Sequence, residues 1–349
     1  MARRRSRLRP ARALATLVLL ALLAAGALAG WAWRELQRPY RGYDEPEALV
    51  LVEPGASATS ILEGLAARGV LRDARLARLY LVHVLGDPPL RAGEYRFAGP
   101  LSIPQVLDKL VRGDVLLHAV TLVEGWTLEE SAAALAAAGL GEVEAFLAAM
   151  RDPAPIAGLD REARDLEGYL FPDTYSFARG TLEAAIVGEL VRTFRERFAS
   201  DVRPLAEERS PRALVTLASI VEEEARLAEE RPLVAGVYAN RLRIGMALYA
   251  DPTVIFALKR RGTWDGNLRR ADLGLDDPYN TYRYPGLPPG PICSPGLASL
   301  QAAAAPAAVE YLYFVSRNDG SHVFAASLGE HNRNVERWQR EYWRERRRR

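Results

Sequence analysis

The sequence predicts an α+β protein in three parts: one apolar helix, a small α/β module and a larger mixed α+β domain. Three observations predict it. Residues 13–33 carry no charge. Residues 46–119 alternate strand-like runs with capped helical stripes. Residues 120–340 hold longer helical segments separated by loops rich in Gly and Pro. The chain has 349 residues, 49% hydrophobic and 26% charged, an ordinary globular balance with room for two or three domains.

The net charge of +2 conceals basic ends, since residues 1–12 hold six arginines and residues 337–349 hold seven. The body between them is acidic, at about −9. It shows no clustered Lys/Arg run of the kind that binds nucleic acid. One cysteine, Cys293, reads as a loop thiol, since it can form neither an internal disulfide nor a zinc site. His83, His118, His322 and His331 are too scattered for a metal-ligand set, so no metal and no cofactor is expected.

Residues 1–12 form a basic tail. Residues 13–33 (ALATLVLLALLAAGALAGWAW) are long enough to cross a bilayer core. The preceding arginines keep the N-terminus cytoplasmic and send the rest outside. Trp31 and Trp33 fall at the far interface. A cleaved signal peptide ending near Ala27-Leu28-Ala29 is the competing reading, and the length of the run favours a retained anchor. Residues 34–45 read as a linker.

In the module of residues 46–119, Ala48–Val52 is strand-like. Ser57 caps a helix with Ile61, Leu62 and Leu65 on one side. Residues 73–85 form a second helix, and Gly93–Phe97 alternates like a strand. Ser102 caps a helix whose stripe is Ile103, Val106, Leu107 and Leu110. Residues 115–123 form another strand.

In the domain of residues 120–340, Thr127 and Glu130 form a capping box, and segments 128–151 and 181–199 are helical. The loop Leu166–Tyr175 gathers aromatics and carboxylates around Gly168 and Pro172. It reads equally as a packed turn or as the wall of a sugar-binding cleft. Ser210 and Pro211 open a helix running to about Glu230, with Leu214, Leu217, Ala218, Val221, Ala225 and Ala228 on its apolar face. Three consecutive glutamates ride on it. Glu223 points into water. Glu222 has Arg226 at i+4, an ordinary helical ion pair. Glu224 has apolar neighbours and no helical charge partner, so its pKa should rise, which suits a general acid. The alternative for Glu224 is a partly buried acid paired with Arg241 or Arg243. The loop Tyr284–Gly296 is a stiff cleft rim or a structural crossover. His322, on a strand over residues 321–326, reads as a satisfied core or surface histidine sooner than as a residue facing the site. Residues 341–349 read as a basic tail, disordered over Arg346–Arg349.

The sequence resembles a known family. Its motifs are Leu217-Ala218-Ser219-Ile220-Val221-Glu222-x-Glu224, Glu230-Arg231, Val234-Ala235-Gly236-Val237, Asn240-Arg241-Leu242, Gly245-Met246-x-Leu248 and Asp251-Pro252-Thr253-Val254. They continue through Tyr279-Asn280-Thr281-Tyr282, Gly286–Ile292, Ser294-Pro295-Gly296, Tyr311–Val315 and His322-x-Phe324. Together with Glu167-Gly168-x-x-x-Pro172-Asp173-Thr174-Tyr175, they are similar to the YceG-like (MltG-type) endolytic murein transglycosylases.

The resemblance implies a membrane anchor, a LysM-like module over 46–119 and a catalytic domain over 120–340. It implies cleavage of peptidoglycan glycan strands between MurNAc and GlcNAc, leaving 1,6-anhydro ends. The second glutamate of the E-x-E pattern, Glu224, would act as general acid and then base. Candidate substrate contacts are Glu167, Asp173, Tyr175, Tyr249, Asp251, Thr253, Asn280 and Tyr282. Tyr249 stands where family members commonly have Gln, and Glu223 where they commonly have Lys. The implied setting is a single-pass protein of the cytoplasmic membrane, its catalytic domain outside, working beside peptidoglycan synthases. Two rivals remain. One is a hydrolytic muramidase using Asp173 or Glu167 to activate water. The other is a non-catalytic wall-binding scaffold.

Overall fold

Two compact units divide the chain in the structure, a computed structural model that describes residues 8–206 and 208–346. The tail residues 1–7 and 347–349 lie outside the described residues. The first unit runs to Leu117 and takes in residues 178–180; the second holds the remainder.

The apolar N-terminal segment is helix α1, Leu8–Gln37, of 30 residues. Within its stretch Leu14–Gln37, an 18-residue run has a mean hydropathy of 2.2 and no buried residue, long and apolar enough to cross a membrane. The helix does not stop where charges begin. It runs on through residues read from sequence as a linker, and Leu36 joins the core of the first unit. The rest of that supposed linker is tied down too. Tyr40 and Leu101 exchange backbone hydrogen bonds, and the Tyr43 hydroxyl donates to the Phe97 carbonyl at 2.8 Å.

The first unit continues as β1 (Ala48–Val52), α2 (Ala58–Ala67), α3 (Ala74–His83), β2 (Gly93–Phe97) and α4 (Ile103–Arg112). Strands β1 and β2 pair antiparallel, Ala48 opposite Phe97 and Val52 opposite Gly93. Alternation puts Ala48, Val50 and Val52 inside. The expected caps are present: Ser57 accepts from Ser60 N, and Gln105 reaches back to Ser102 N. Ile103, Val106, Leu107 and Leu110 are the buried stripe of α4.

The second unit begins at His118, within strand β3 (Leu117–Thr121), joined after a turn by α5 (Leu128–Ala137) and α6 (Val143–Met150). The Thr127–Glu130 capping box opens α5. Strand β4 (Thr174–Ala178) pairs with β3, and α7 spans Glu183–Arg197. The loop before β4 is a packed turn. Leu166, Tyr169 and Phe171 lie in the core, and Tyr169 donates to Asp160 at 2.6 Å.

Helix α8 (Pro211–Glu224) is the axis of this unit, with every residue from Leu214 to Val221 buried. It is enclosed all round, not the one-faced helix that its periodicity suggests. Helices α9 (Arg231–Arg243), α10 (Asp251–Arg260) and α11 (Leu297–Ala304) pack on it. The proline-rich loop is a buried crossover from Pro291 to Gly296. Ser219 Oγ on α8 accepts from Ile292 N at 3.1 Å and donates to the Thr216 carbonyl.

The hairpin β5 (Tyr313–Ser316) and β6 (His322–Ala325) follows, then α12 (Leu328–Val335) and α13 (Tyr342–Arg346). The expected C-terminal tail is therefore helical through Arg346.

Gly168 locks the packed turn to the crossover. It has φ +84°, and a Cβ there would overlap the Pro291 ring and crowd Val215. Gly168→Ala should lose about 2 kcal/mol of stability, from left-handed strain and overlap together. Urea unfolding of the full chain in detergent checks it, as a lower midpoint.

Candidate active site

Glu224 is the last residue of α8, because Ala225 turns extended at φ −100°, ψ 106°. The helix does not reach Glu230 as the pattern suggested, and this rearranges every charge beside it. Arg226 leaves the helix and does not pair with Glu222. Arg231, at the start of α9, takes its place, with Nη2 2.9 Å from Glu222 Oε1. Glu222 Oε2 also accepts from Gly296 N at 3.0 Å. Glu222 therefore ties together α8, α9 and the crossover. Glu223 is exposed, as expected.

The Glu224 carboxyl is held from α9. The Tyr238 hydroxyl donates to its Oε1 at 2.9 Å, and Tyr238 itself is buried. Arg241, one turn further along α9, lies in the same surroundings. Its guanidinium donates to the carbonyls of Leu312 and Leu248. Burial pushes the Glu224 carboxyl from 4.5 up to about 7; the Tyr238 hydrogen bond and the Arg241 charge pull it down, and the Asp251 charge pushes it up. The carbonyl-rich end of α8 also disfavours a negative charge there. The sequence alternative of an arginine neighbour is thus partly realised: Arg241 is near, but its donors go to backbone carbonyls.

Asp251 opens α10 and accepts from the Tyr282 hydroxyl at 2.5 Å. Tyr249 packs edge-on against Tyr282 at 5.3 Å between ring centres. Tyr249 is exposed and has φ +49°, a conformation rare for a bulky side chain. Two buried residues hold this group from below. Thr253 Oγ1 lies 2.9 Å from Thr281 Oγ1, and Ala250 N donates to Thr281 Oγ1. Asn280 gives its amide protons to the carbonyls of Leu273 and Leu275 and accepts from Tyr282 N. The hydrogen bonds of Thr253 and Asn280 are thus made inside the fold.

The candidates from the aromatic loop lie elsewhere. Glu167 is 6% exposed, and Leu128 N points at its Oε2 from 3.4 Å. It lines a separate cavity of about 360 Å³ with Arg212, Arg260 and Tyr279. Tyr175 is buried, donating to the Phe171 carbonyl. Asp173 is exposed at the head of β4 and accepts from Thr174 N.

Glu224 opens on a cavity of about 270 Å³, shared with Arg226, His322, Trp343 and the β5–β6 turn. His322 is fixed by Glu230: its backbone N–H donates to Oε1 at 2.8 Å, and Nδ1 lies 2.7 Å from Oε2. Sequence reasoning passed over Tyr238 and Trp343. Tyr238 sits 14 positions from Glu224 on another helix, beyond the reach of any periodicity. Trp343 falls in what reads as a basic tail.

A mostly buried carboxyl that keeps its proton near neutral pH, among tyrosines and beside an open cavity, is the arrangement of an acid–base enzyme. The chain belongs to the YceG-like family, whose pattern matches residues 50–337. It is similar to the endolytic murein transglycosylase of Bacillus subtilis (strain 168), 32% identical over 324 residues, covering 87% of this chain and 88% of that one. It is also similar to the endolytic murein transglycosylase of Streptococcus pneumoniae serotype 2, 28% identical over 358 residues. That match covers 91% of this chain and 63% of the longer relative. The crystal structure of a YceG-like protein from Listeria monocytogenes superposes with a TM-score of 0.56 at 30% identity. It covers 83% of this chain and all of that one.

The raised pKa links the site to stability. A carboxyl at about 7 in the fold and 4.5 outside it stabilises the fold fully below pH 4.5. That contribution is lost as pH rises through 7. Glu224→Gln stays neutral throughout, so its melting temperature relative to wild type should be higher at pH 8 than at pH 5. Equal differences at the two pH values would contradict the raised pKa.

Proposed function

We propose that the chain is an endolytic murein transglycosylase anchored by α1, with Glu224 as its single general acid and base. The observation that carries this reading is the mostly buried Glu224 carboxyl, held by Tyr238 and raised to about 7. At neutral pH a good share of the enzyme holds the proton that the leaving group needs.

Glu224 gives its proton to the oxygen that joins MurNAc C1 to the GlcNAc leaving group, and the C1–O bond breaks. The C6 hydroxyl of the same MurNAc then bonds to C1 and returns its proton to Glu224. A 1,6-anhydro ring forms, no water is consumed, and the acid is regenerated. Tyr238 and the Arg241 charge stabilise the carboxylate between the two transfers. Asp251 places negative charge beside the oxocarbenium-like centre. Tyr249 and Tyr282 offer rings to the sugars, with Thr253 and Asn280 supporting them from beneath. Glu167, Asp173 and Tyr175 lie outside the Glu224 cavity, and any contact with the strand there is more distant.

The first unit's β1–α2–α3–β2 order with an antiparallel pair supports the LysM-like reading of residues 46–119 as a strand-holding module. The arginines before α1 support a cytoplasmic N-terminus and an extracytoplasmic catalytic unit. That placement puts the enzyme beside the synthases that extrude new strands. A second reading is hydrolysis, favoured by the charge of Asp251 close to Glu224, since hydrolytic glycosidases use two carboxylates.

Product ends decide between them. Full-length protein in detergent, given uncross-linked strands, should yield anhydro ends by mass spectrometry; reducing ends would mean hydrolysis. Glu224→Gln should lose at least about 10³-fold in rate. Glu222→Gln should destabilise the fold, while the enzyme that remains folded makes the same product. Persistence of cleavage in Glu224→Gln, with loss in Glu222→Gln, would overturn the assignment.

Tyr238→Phe tests the tuning. The acid must be protonated, so activity falls as pH rises through the Glu224 pKa. Removing a hydrogen bond that favours the carboxylate raises that pKa. The alkaline limb of kcat/KM should therefore move above 7, and an unmoved or lowered limb would refute the role.

A further inference from the structure

The Glu224 cavity is closed on one side by a segment beyond the stretch that the family pattern matches. That match ends at residue 337, and Trp343 lines the cavity. The segment is built into the fold. Asn318 Nδ2 donates to the Trp338 carbonyl at 2.6 Å, and Gln339 Nε2 donates to the Ser316 carbonyl at 2.8 Å. The Arg317 guanidinium lies over the Trp338 ring. These ties fasten the C-terminal segment to the β5–β6 hairpin, whose turn lines the same cavity. The Trp343 ring remains 40% exposed.

Arg226 lines the cavity as well. The break in α8 frees it from the helix, Arg231 has taken its expected partner, and it pairs with no carboxylate among the described residues. Arg346 lies over the Trp343 ring and Tyr342 packs against it, so the indole is held in place, partly exposed, with the Arg226 guanidinium in the same cavity as the acid. Pyranose C–H faces pack on indole rings, and guanidinium binds carboxylate in a bidentate fork.

We propose that Arg226 and Trp343 form a subsite for the carboxylate-bearing sugar of the strand, Trp343 stacking on the pyranose and Arg226 taking the carboxylate of its side arm. The subsite rests on the assignment of Glu224 as the acting acid. The carboxylate has two sources. In a naked strand it is the lactyl group of MurNAc. In a peptide-bearing strand the lactyl group is amidated and the stem peptide supplies it.

The test measures calorimetric affinity of full-length Glu224→Gln protein for three oligosaccharides of equal length: naked GlcNAc–MurNAc, its peptide-bearing form, and a chitin oligomer without carboxylates. Adding Arg226→Ala should cost about tenfold for carboxylate-bearing ligands and leave chitin unchanged. A loss confined to naked strands identifies the lactyl group, and one confined to peptide-bearing strands identifies the stem. Adding Trp343→Ala should weaken all three ligands by about five- to tenfold, and Trp343→Phe should restore most of it. In the active enzyme Trp343→Ala should raise KM and leave kcat within about twofold. Unchanged affinities in either alanine variant, or Trp343→Phe binding as poorly as Trp343→Ala, would overturn the subsite. Absence of anhydro ends from wild type would instead overturn the reaction assigned to Glu224, a separate result.

Discussion

Everything at this site depends on ending a helix at a carboxyl. Had α8 continued to Glu230, Arg226 would neutralise Glu222, and Glu224 would sit mid-helix with its backbone satisfied. The extended Ala225 stops the helix at Glu224. The carboxyl then lies where unpaired carbonyls and burial both oppose ionisation. Tyr238 and Arg241 offset part of that cost, and the balance falls at about 7. Burial alone would leave the acid too weak, and full ion pairing would leave it too strong.

The surrounding fold keeps that balance fixed. Helix α8 is buried on every side, and small residues such as Ala218 and Ser219 let the proline-rich crossover lie directly on it. Glu222 draws α8, α9 and Gly296 together through Arg231 and a backbone amide. Two positions of one motif, with one residue between them, thus hold opposite environments. The carboxylate of Glu222 is clasped by a cation and an amide. Glu224 meets a tyrosine hydroxyl and an open cavity. The difference is made by elements distant in sequence, which converge only in the folded chain.

Local signals were legible. The caps at Ser57, Ser102 and Thr127, the alternation in β1 and the apolar stripe of α4 each depend on neighbours a few residues away, and the structure reproduces them. The proposal of Glu224 among three glutamates draws on its apolar neighbours at three and four residues and on the E-x-E motif, and the structure adds the burial and the Tyr238 hydroxyl that surround its carboxyl. What failed was the end of α8, because Ala225–Glu229 contains no glycine or proline to announce a break; tertiary packing imposes it. The aromatic loop was ambiguous because aromatic residues serve a core and a cleft equally well. Tyr238 and Arg241 reach Glu224, and Trp343 reaches its cavity, through the packing of distant elements, which no linear spacing encodes. The linker reading failed for a related reason: Tyr40 and Tyr43 find their partners near residue 100.

The anchor helix carries one further consequence. At 1.5 Å per residue its 30 residues reach about 45 Å, against a hydrocarbon core of about 30 Å. The surplus does not dangle as a leash. Leu36 is packed into the first unit's core, and Tyr40 is bonded to Leu101. A stiff stalk fixes the distance between that unit and any bilayer the helix enters, where a slack tether would leave it variable.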